Sequence, residues 1–284
     1  MRVRYSFSSR RTRRIAKIRK QRPKYPDLVE KIITISDIIL EILDARFIEE
    51  TRNRGIEREI KKQKKKLIYV LNKSDLVYKL KTRPKPSVLI SCTEKRGGKE
   101  LKELIIREAK LLKKKTGKVL KGDKIKESSE EKITVGVIGY PNTGKSSIIN
   151  LLVKKPKTKT AAEAGFTKNI QKIRLNSDIQ LLDSPGVIPK EDYSGENTDA
   201  IAQHTKVGGR SYSQVKEPEL IVSKLLEEYP QIEKFYKIKA DGDAEILIEE
   251  LGKKMGFLKK GGVVEENKTA RLIIKDFQEG SIKI

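Results

Sequence analysis

Gly139-Tyr140-Pro141-Asn142-Thr143-Gly144-Lys145-Ser146 is the stretch from which the rest of the chain can be read. It fits G-x-x-x-x-G-K-[ST], follows the apolar run Ile133 to Ile138, and opens a helix-forming stretch from Ser147 to Val153. A strand that turns on glycines into a helix aims a row of backbone N–H groups at one point, at the positive end of the helix, where phosphate is held. Gly139 and Gly144 permit the turn. Lys145 supplies a point charge to the β- and γ-phosphates, and Ser146 a hydroxyl ligand for Mg²⁺. Asn142, Thr143 and Ser147 complete the stretch expected to line the phosphates. A chance match in a chain this long arises on the order of once in a hundred, and rarely between a strand and a helix.

Such a loop needs an acidic partner at the end of a neighbouring strand, and Leu181-Leu182-Asp183-Ser184-Pro185-Gly186 offers one. Asp183 is expected to hold Mg²⁺, and the Gly186 N–H to reach the γ-phosphate. Between the two motifs lies Gly165-Phe166-Thr167, whose threonine is expected to close over Mg²⁺ when the γ-phosphate is present. Lys145, Thr167 and Gly186 are thus the candidate catalytic groups.

A phosphate loop does not choose between bases. Asn72-Lys73-Ser74-Asp75, directly after the strand-like run Leu67 to Leu71, does. The Asp75 carboxylate can accept from N1–H and N2–H of guanine, a donor pair adenine lacks, and a site left with those bonds unmade rejects adenine strongly. Asn72 suits an amide that braces the loop, and the Lys73 stem can lie along the ring. One strand further on, Ser91-Cys92-Thr93 can present a backbone N–H to guanine O6. An ordinary turn would also suit Asn-Lys-Ser-Asp; its place one strand before Ser-Cys-Thr favours the guanine site.

The usual order of these motifs in GTP-binding domains puts the phosphate loop first. Here it comes after the base-reading motifs, which makes the chain circularly permuted. The pocket tolerates this, because all its loops lie at the carboxyl ends of parallel strands around one crevice. The polar stretch 116–132 can join the old ends. Apolar runs at Ile38 to Leu43, Leu67 to Leu71, Ser87 to Ile90 and Ile133 to Ile138, with helical stretches such as Lys99 to Lys115 between them, predict a mostly parallel sheet covered on both faces. Runs around 170–175 and 179–182 predict two further neighbouring strands. Leu220 to Tyr229, Ala244 to Met255 and Thr269 to Phe277 have helical spacing. The expected fold is therefore α/β: a basic N-terminal arm (1–26), a circularly permuted P-loop GTPase domain (27–195) and a small all-α domain (196–284) with a role in RNA binding.

The chain of 284 residues carries 64 Lys and Arg against 39 Asp and Glu, a net charge of +25. Abundant charge of both signs would suit a thermophile surface, but the imbalance calls for a polyanionic partner, and RNA fits. The arm concentrates it, from Arg10-Arg11-Thr12-Arg13-Arg14 onward with no acidic residue before Asp27. No apolar run approaches a membrane span, the basic start leads into no signal-like segment, and the lone Cys92 excludes an internal disulfide. A cytoplasmic protein without a membrane partner is expected. Cys92 reads as a small packing residue, and Lys61 to Lys66 as a solvated helix end.

The motif order resembles that of the circularly permuted ribosome-assembly GTPases of the YlqF/YawG type, in an archaeal-type form. Asp44-Ala45-Arg46 with Thr51-Arg52-Asn53 resembles that family's segment after its first strand. Lys260-Gly261-Gly262 and Thr269-Ala270-Arg271 through Gly280 resemble its helical tail. The resemblance implies a monomeric GTP-hydrolysing switch that binds the large-subunit precursor and its rRNA in the GTP state. Rival classes are a GTP-dependent tRNA or translation factor and a signalling GTPase module. Two features depart from the catalytic pattern. The arm lacks the histidine segment of bacterial members, and Val187 stands where many GTPases place a water-orienting glutamine and where the family also has an apolar residue. A valine cannot align water, so turnover should be slow without help. Help is expected from K⁺ bound near Asn142, from a group on the ribosome, or from His204, the sole histidine. The connector 189–198 would carry the nucleotide state to the helical domain.

Overall fold

The structure, a computed structural model, describes residues 25–78, 80, 82–116, 132–153, 171–184 and 198–283. Most of the basic arm, the 117–131 linker, Thr167, Gly186, Val187 and the connector up to residue 197 lie outside the described residues. Within them the chain runs α1 (Tyr25–Ile35), β1 (Ile38–Asp44), a single turn α2 (Ile48–Thr51), α3 (Arg54–Lys62), β2 (Lys66–Asn72), β3 (Ser87–Leu89) and α4 (Gly98–Thr116). β4 (Ile133–Gly139), α5 (Lys145–Val153), β5 (Gln171–Arg174) and β6 (Ile179–Asp183) complete the α/β part.

The six strands lie in the order β3-β2-β1-β4-β6-β5. All pairs are parallel except β5 with β6, which are joined by a short reversal at Asn176. β1 is central, and all seven of its residues are buried. That explains why it reads as an apolar run broken only by Glu41 before the closing Asp44, rather than as an alternating one. One face packs Leu40, Ile42, Val70 and Val137 against Leu101 and Ile105 of α4 and Ile148 and Ile149 of α5. The other packs Ile39 and Ile138 against Val29, Ile32 and Ile33 of α1 and Ile60 of α3. From β1 the chain moves outward through β2 to β3, then returns to β4 on the other side of β1. The strand order therefore reverses between β1 and β4, and a crevice opens there at their carboxyl ends.

The remaining chain is helical, as expected: α6 (Thr198–Lys206), α7 (Pro218–Glu228), α8 (Gln231–Tyr236), α9 (Ala244–Met255) and α10 (Glu266–Glu279). Their shared core, built on Val222, Leu225, Leu247, Leu251, Ile273 and Phe277, also takes in Phe47 and Tyr140 from the α/β part. Phe47 stacks on Phe277 with ring centroids 6.0 Å apart. The helical part is thus packed on the loops that follow β1 and β4. No helix among the described residues is long and apolar enough to cross a membrane.

Candidate nucleotide-binding site

The loop from Gly139 to Gly144 leaves β4 at the crevice and delivers Lys145 to the first position of α5. Gly144 has φ +93°, and a Cβ there would run into the Asn72 amide, so glycine is required both for the turn and for this close approach. Thr143 is buried, and its Oγ1 donates to the Tyr140 carbonyl at 2.9 Å, closing the loop on itself. The Lys145 ammonium donates to the carbonyls of Gly139 (3.1 Å) and Tyr140 (2.8 Å). Burial pushes its pKa down to about 8, opposed by the charge of Asp183. A buried cation at the start of a helix, whose hydrogen bonds among the described residues go to two loop carbonyls, is suited to an anion.

Asp183 ends β6 beside this loop, and Ser146 Oγ donates to its Oδ2 at 3.0 Å. Burial raises the Asp183 carboxyl above its ordinary range, against the pull of Ser146 and Lys145. Its Oδ1 is buried and has no hydrogen-bond partner among the described residues. A hydroxyl and a carboxylate side by side, with an unmatched buried oxygen, make a donor set of the kind hard cations take, so Ser146 and Asp183 fit Mg²⁺. Ser184 Oγ donates to the Val137 carbonyl at 2.6 Å and fixes where the acidic strand ends.

The base-reading residues arrive from the other side of the switch point. Asn72 ends β2, and its Nδ2 donates to the Thr143 carbonyl at 2.8 Å. That single bond, across 71 positions of sequence, joins the two motifs into one pocket. Lys73 takes a left-handed backbone (φ 60°), which turns the chain into a short 3₁₀ segment, Ser74–Leu76. Asp75 sits in that segment with Oδ1 buried and unpartnered among the described residues. A carboxylate oxygen kept dry without a donor is what a guanine edge would satisfy. The Ser74 N–H bonds to the Ile90 carbonyl at 3.1 Å, which sets Ser91, Cys92 and Thr93 next to the base-reading turn. Ser91 is buried and its Oγ accepts from the Glu94 N–H at 3.0 Å, while Thr93 is exposed. Burial and the nearby Asp75 charge push the Cys92 thiol up to about 11, consistent with an inert packing group.

Ser147 is half-buried in the first turn of α5, and Asn142 has φ 59° with its Nδ2 on the Gly208 carbonyl at 2.9 Å. His204 in α6 stacks on Tyr140 and shares a hydrogen bond with the Tyr140 hydroxyl through Nδ1. Sequence reading did not foresee these contacts between the phosphate loop and the helical part. Nor did it find that Asp44 pairs with both Lys73 and Arg46, each at 2.8 Å. The signal was present in Asp44-Ala45-Arg46, but no spacing rule says where those charges point.

Residues 134–247 match a family model described as 50S ribosome-binding GTPase. The chain is 37% identical over 266 residues to the uncharacterized GTP-binding protein MJ1464 of Methanocaldococcus jannaschii, covering 90% of this chain and 65% of that one. It is 34% identical over 266 residues to Nucleolar GTP-binding protein 2 of Saccharomyces cerevisiae, covering 89% and 51% respectively. It therefore spans between about half and two thirds of the length of these curated relatives. Among solved structures, GNP-bound YlqF from T. maritima shares its fold, with a TM-score of 0.59 at 23% identity over 92% of this chain and 96% of that one. Its motifs thus stand in permuted order around one crevice, in a chain that is similar to these GTP-binding proteins over about nine tenths of its own length and shares the fold of YlqF.

Proposed function

We propose that the protein binds GTP and GDP, hydrolyses GTP, and acts as a switch in assembly of the large ribosomal subunit. The observation that carries the nucleotide half is the Asn72–Thr143 bond, which brings an unpartnered base-reading carboxylate and a phosphate loop to one crevice. Lys145 would leave its loop carbonyls for the β- and γ-phosphates, and the α5 N–H groups would hold the α- and β-phosphates. Mg²⁺, held by Ser146, Asp183 and Thr167, would offset charge on the phosphates. Gly186 would meet the γ-phosphate.

None of these groups aligns water, and Val187 cannot, so slow intrinsic turnover follows. K⁺ at Asn142 remains our leading source of help. The Asn142 Nδ2 is engaged by Gly208, so its Oδ1 would have to serve the cation. The ribosomal half of the proposal rests on the +25 charge, on the match to a family of 50S ribosome-binding GTPases and on the nucleolar name of the yeast relative. The protein would act in the cytosol as a monomer, with the basic arm and the helical part meeting rRNA.

The test is to load the protein with a non-hydrolysable GTP analogue and sediment it with cell extract. Co-sedimentation with large-subunit precursors, lost in GDP, is the expected result. Migration with tRNA or mature ribosomes would support a translation factor instead.

A further inference from the structure

Asp44 ends β1 and lies opposite Asn72, the first residue of the base-reading motif, in the β1–β2 ladder. Its carboxylate is completely buried between two cations. Arg46 meets it twice, Nε on Oδ1 at 3.1 Å and Nη2 on Oδ2 at 2.8 Å, and Lys73 Nζ meets Oδ2 at 2.8 Å. The Arg46 and Asp44 side chains are each only 1% exposed. Burial alone would raise the Asp44 carboxyl; the charges of Lys73 and Arg46 overcome it and hold the group well below the usual carboxylate range.

Arg46 continues the chain of contacts into the helical part. Its Nη1 donates to the Phe277 carbonyl at 2.8 Å, in the last turn of α10, where a cation also meets the negative end of the helix dipole. Its guanidinium lies 4.9 Å from the Phe47 ring centroid and 5.9 Å from that of Phe277. Just beyond, Gly280 caps α10 with φ +86°, and a Cβ there would run into the Leu76 side chain. Leu76 is the residue after Asp75. The end of α10 therefore touches the base-reading turn directly through Leu76 and indirectly through Arg46, Asp44 and Lys73.

We propose that Asp44 is a positioning residue for guanine selection, clamping the Lys73–Asp75 turn to the end of α10. The clamp rests on the reading of Asp75 as the guanine acceptor. With the Lys73 ammonium held, its aliphatic stem has one path, along the wall where the base plane would lie, and the left-handed turn at Lys73 is held in register for Asp75. The buried, two-armed contact with Arg46 fixes the carboxylate more tightly than a surface pair would, and the carboxylate so fixed holds the partly exposed Lys73 ammonium by a single contact. Guanine selection then depends on the docking of the helical part as well as on the base-reading motif itself.

Inosine diphosphate lacks the 2-amino group that Asp75 would accept, so the ratio of GDP to IDP affinity isolates this contact. In the full chain, Asp44→Asn should lower that ratio about tenfold, and Arg46→Lys, which keeps the charge but loses the fork, about threefold. In an Asp75→Ala background the ratio should be near one, and adding Asp44→Asn should change it no further. An unchanged ratio in a folded Asp44→Asn protein would overturn the clamp, as would a further loss in the double variant. Should Asp44→Asn not fold, Arg46→Lys decides by the same ratio. A wild-type ratio near one would instead overturn the reading of Asp75, and the clamp with it.

Discussion

Lys145 holds its ammonium against the carbonyls of the loop it is proposed to serve, at 2.8 and 3.1 Å. Polyphosphate would compete with those carbonyls and win, because a charge-assisted bond in a dry site is worth roughly twice a neutral one. Lys145→Ala should therefore cost most of the affinity for both GTP and GDP. Asp183→Ala should act differently. Its carboxylate is placed for the cation and faces no proposed phosphate directly, so the loss should fall on Mg²⁺-dependent GTP binding while GDP is less affected. Isothermal titration with each nucleotide, with and without Mg²⁺, separates the two. Normal GTP binding by Lys145→Ala would mean that the phosphate loop is misassigned. These residues were legible in the sequence because the chemistry fixes both their types and their spacing. The pairing of Asp44 with Lys73 and of Asn142 with Gly208 was not, since those partners lie far along the chain and only the packed fold selects them.

β1 shows the same division at the level of an element. Its apolar run announced a buried strand, though not its central place in the sheet, and the adjacent strands and α4, α5 and α10 followed from period and composition. α8 did not, being two turns long and dependent on packing rather than on propensity. Nor could any pattern show that Phe47, just past β1, belongs to the helical core. Besides Asp44 at its end, β1 carries one charged residue, Glu41, which is buried, with Oε1 accepting from the Asn53 N–H at 3.0 Å. Burial raises its pKa to about 8, with the Glu57 charge adding, while the Asn53 bond and the charges of Arg52 and Arg54 oppose. In the unfolded chain the group returns to the ordinary value near 4.5. Since the folded pKa is the higher, the stabilising difference is complete below about 4.5 and is lost as pH rises towards 8. The change amounts to about 1.4 kcal/mol per unit of pKa difference. Glu41→Gln keeps the acceptor and removes the titration. Its thermal midpoint should vary less than that of the wild type between pH 5 and 8. Equal slopes in the two proteins would show that Glu41 does not control this range.

The whole molecule joins its two parts at the site rather than away from it. Arg46 reaches α10 behind the base-reading turn, while Asn142 meets Gly208 and Tyr140 meets His204 at the phosphate loop. A phosphate loop that shifts when nucleotide binds must disturb the last two contacts, so the state of the nucleotide can reach the helical part without passing through the 189–198 connector. By linkage, a GTP state that binds the pre-ribosomal particle more tightly requires the particle to favour GTP by the same factor. Contact and connector would then be parallel routes, and they can be cut separately. His204→Phe keeps a ring stacked on Tyr140 but removes the hydrogen bond; a flexible Gly/Ser insert at 189–198 relaxes the covalent route. Each variant should lower the GTP-to-GDP ratio of particle affinity, measured by sedimentation, and the pair together should lower it further. If the ratio survived His204→Phe but collapsed with the insert, the connector alone would transmit the signal. If it survived both, coupling would have to run through another surface, for which the Asp44–Arg46 contact to α10 is the next candidate.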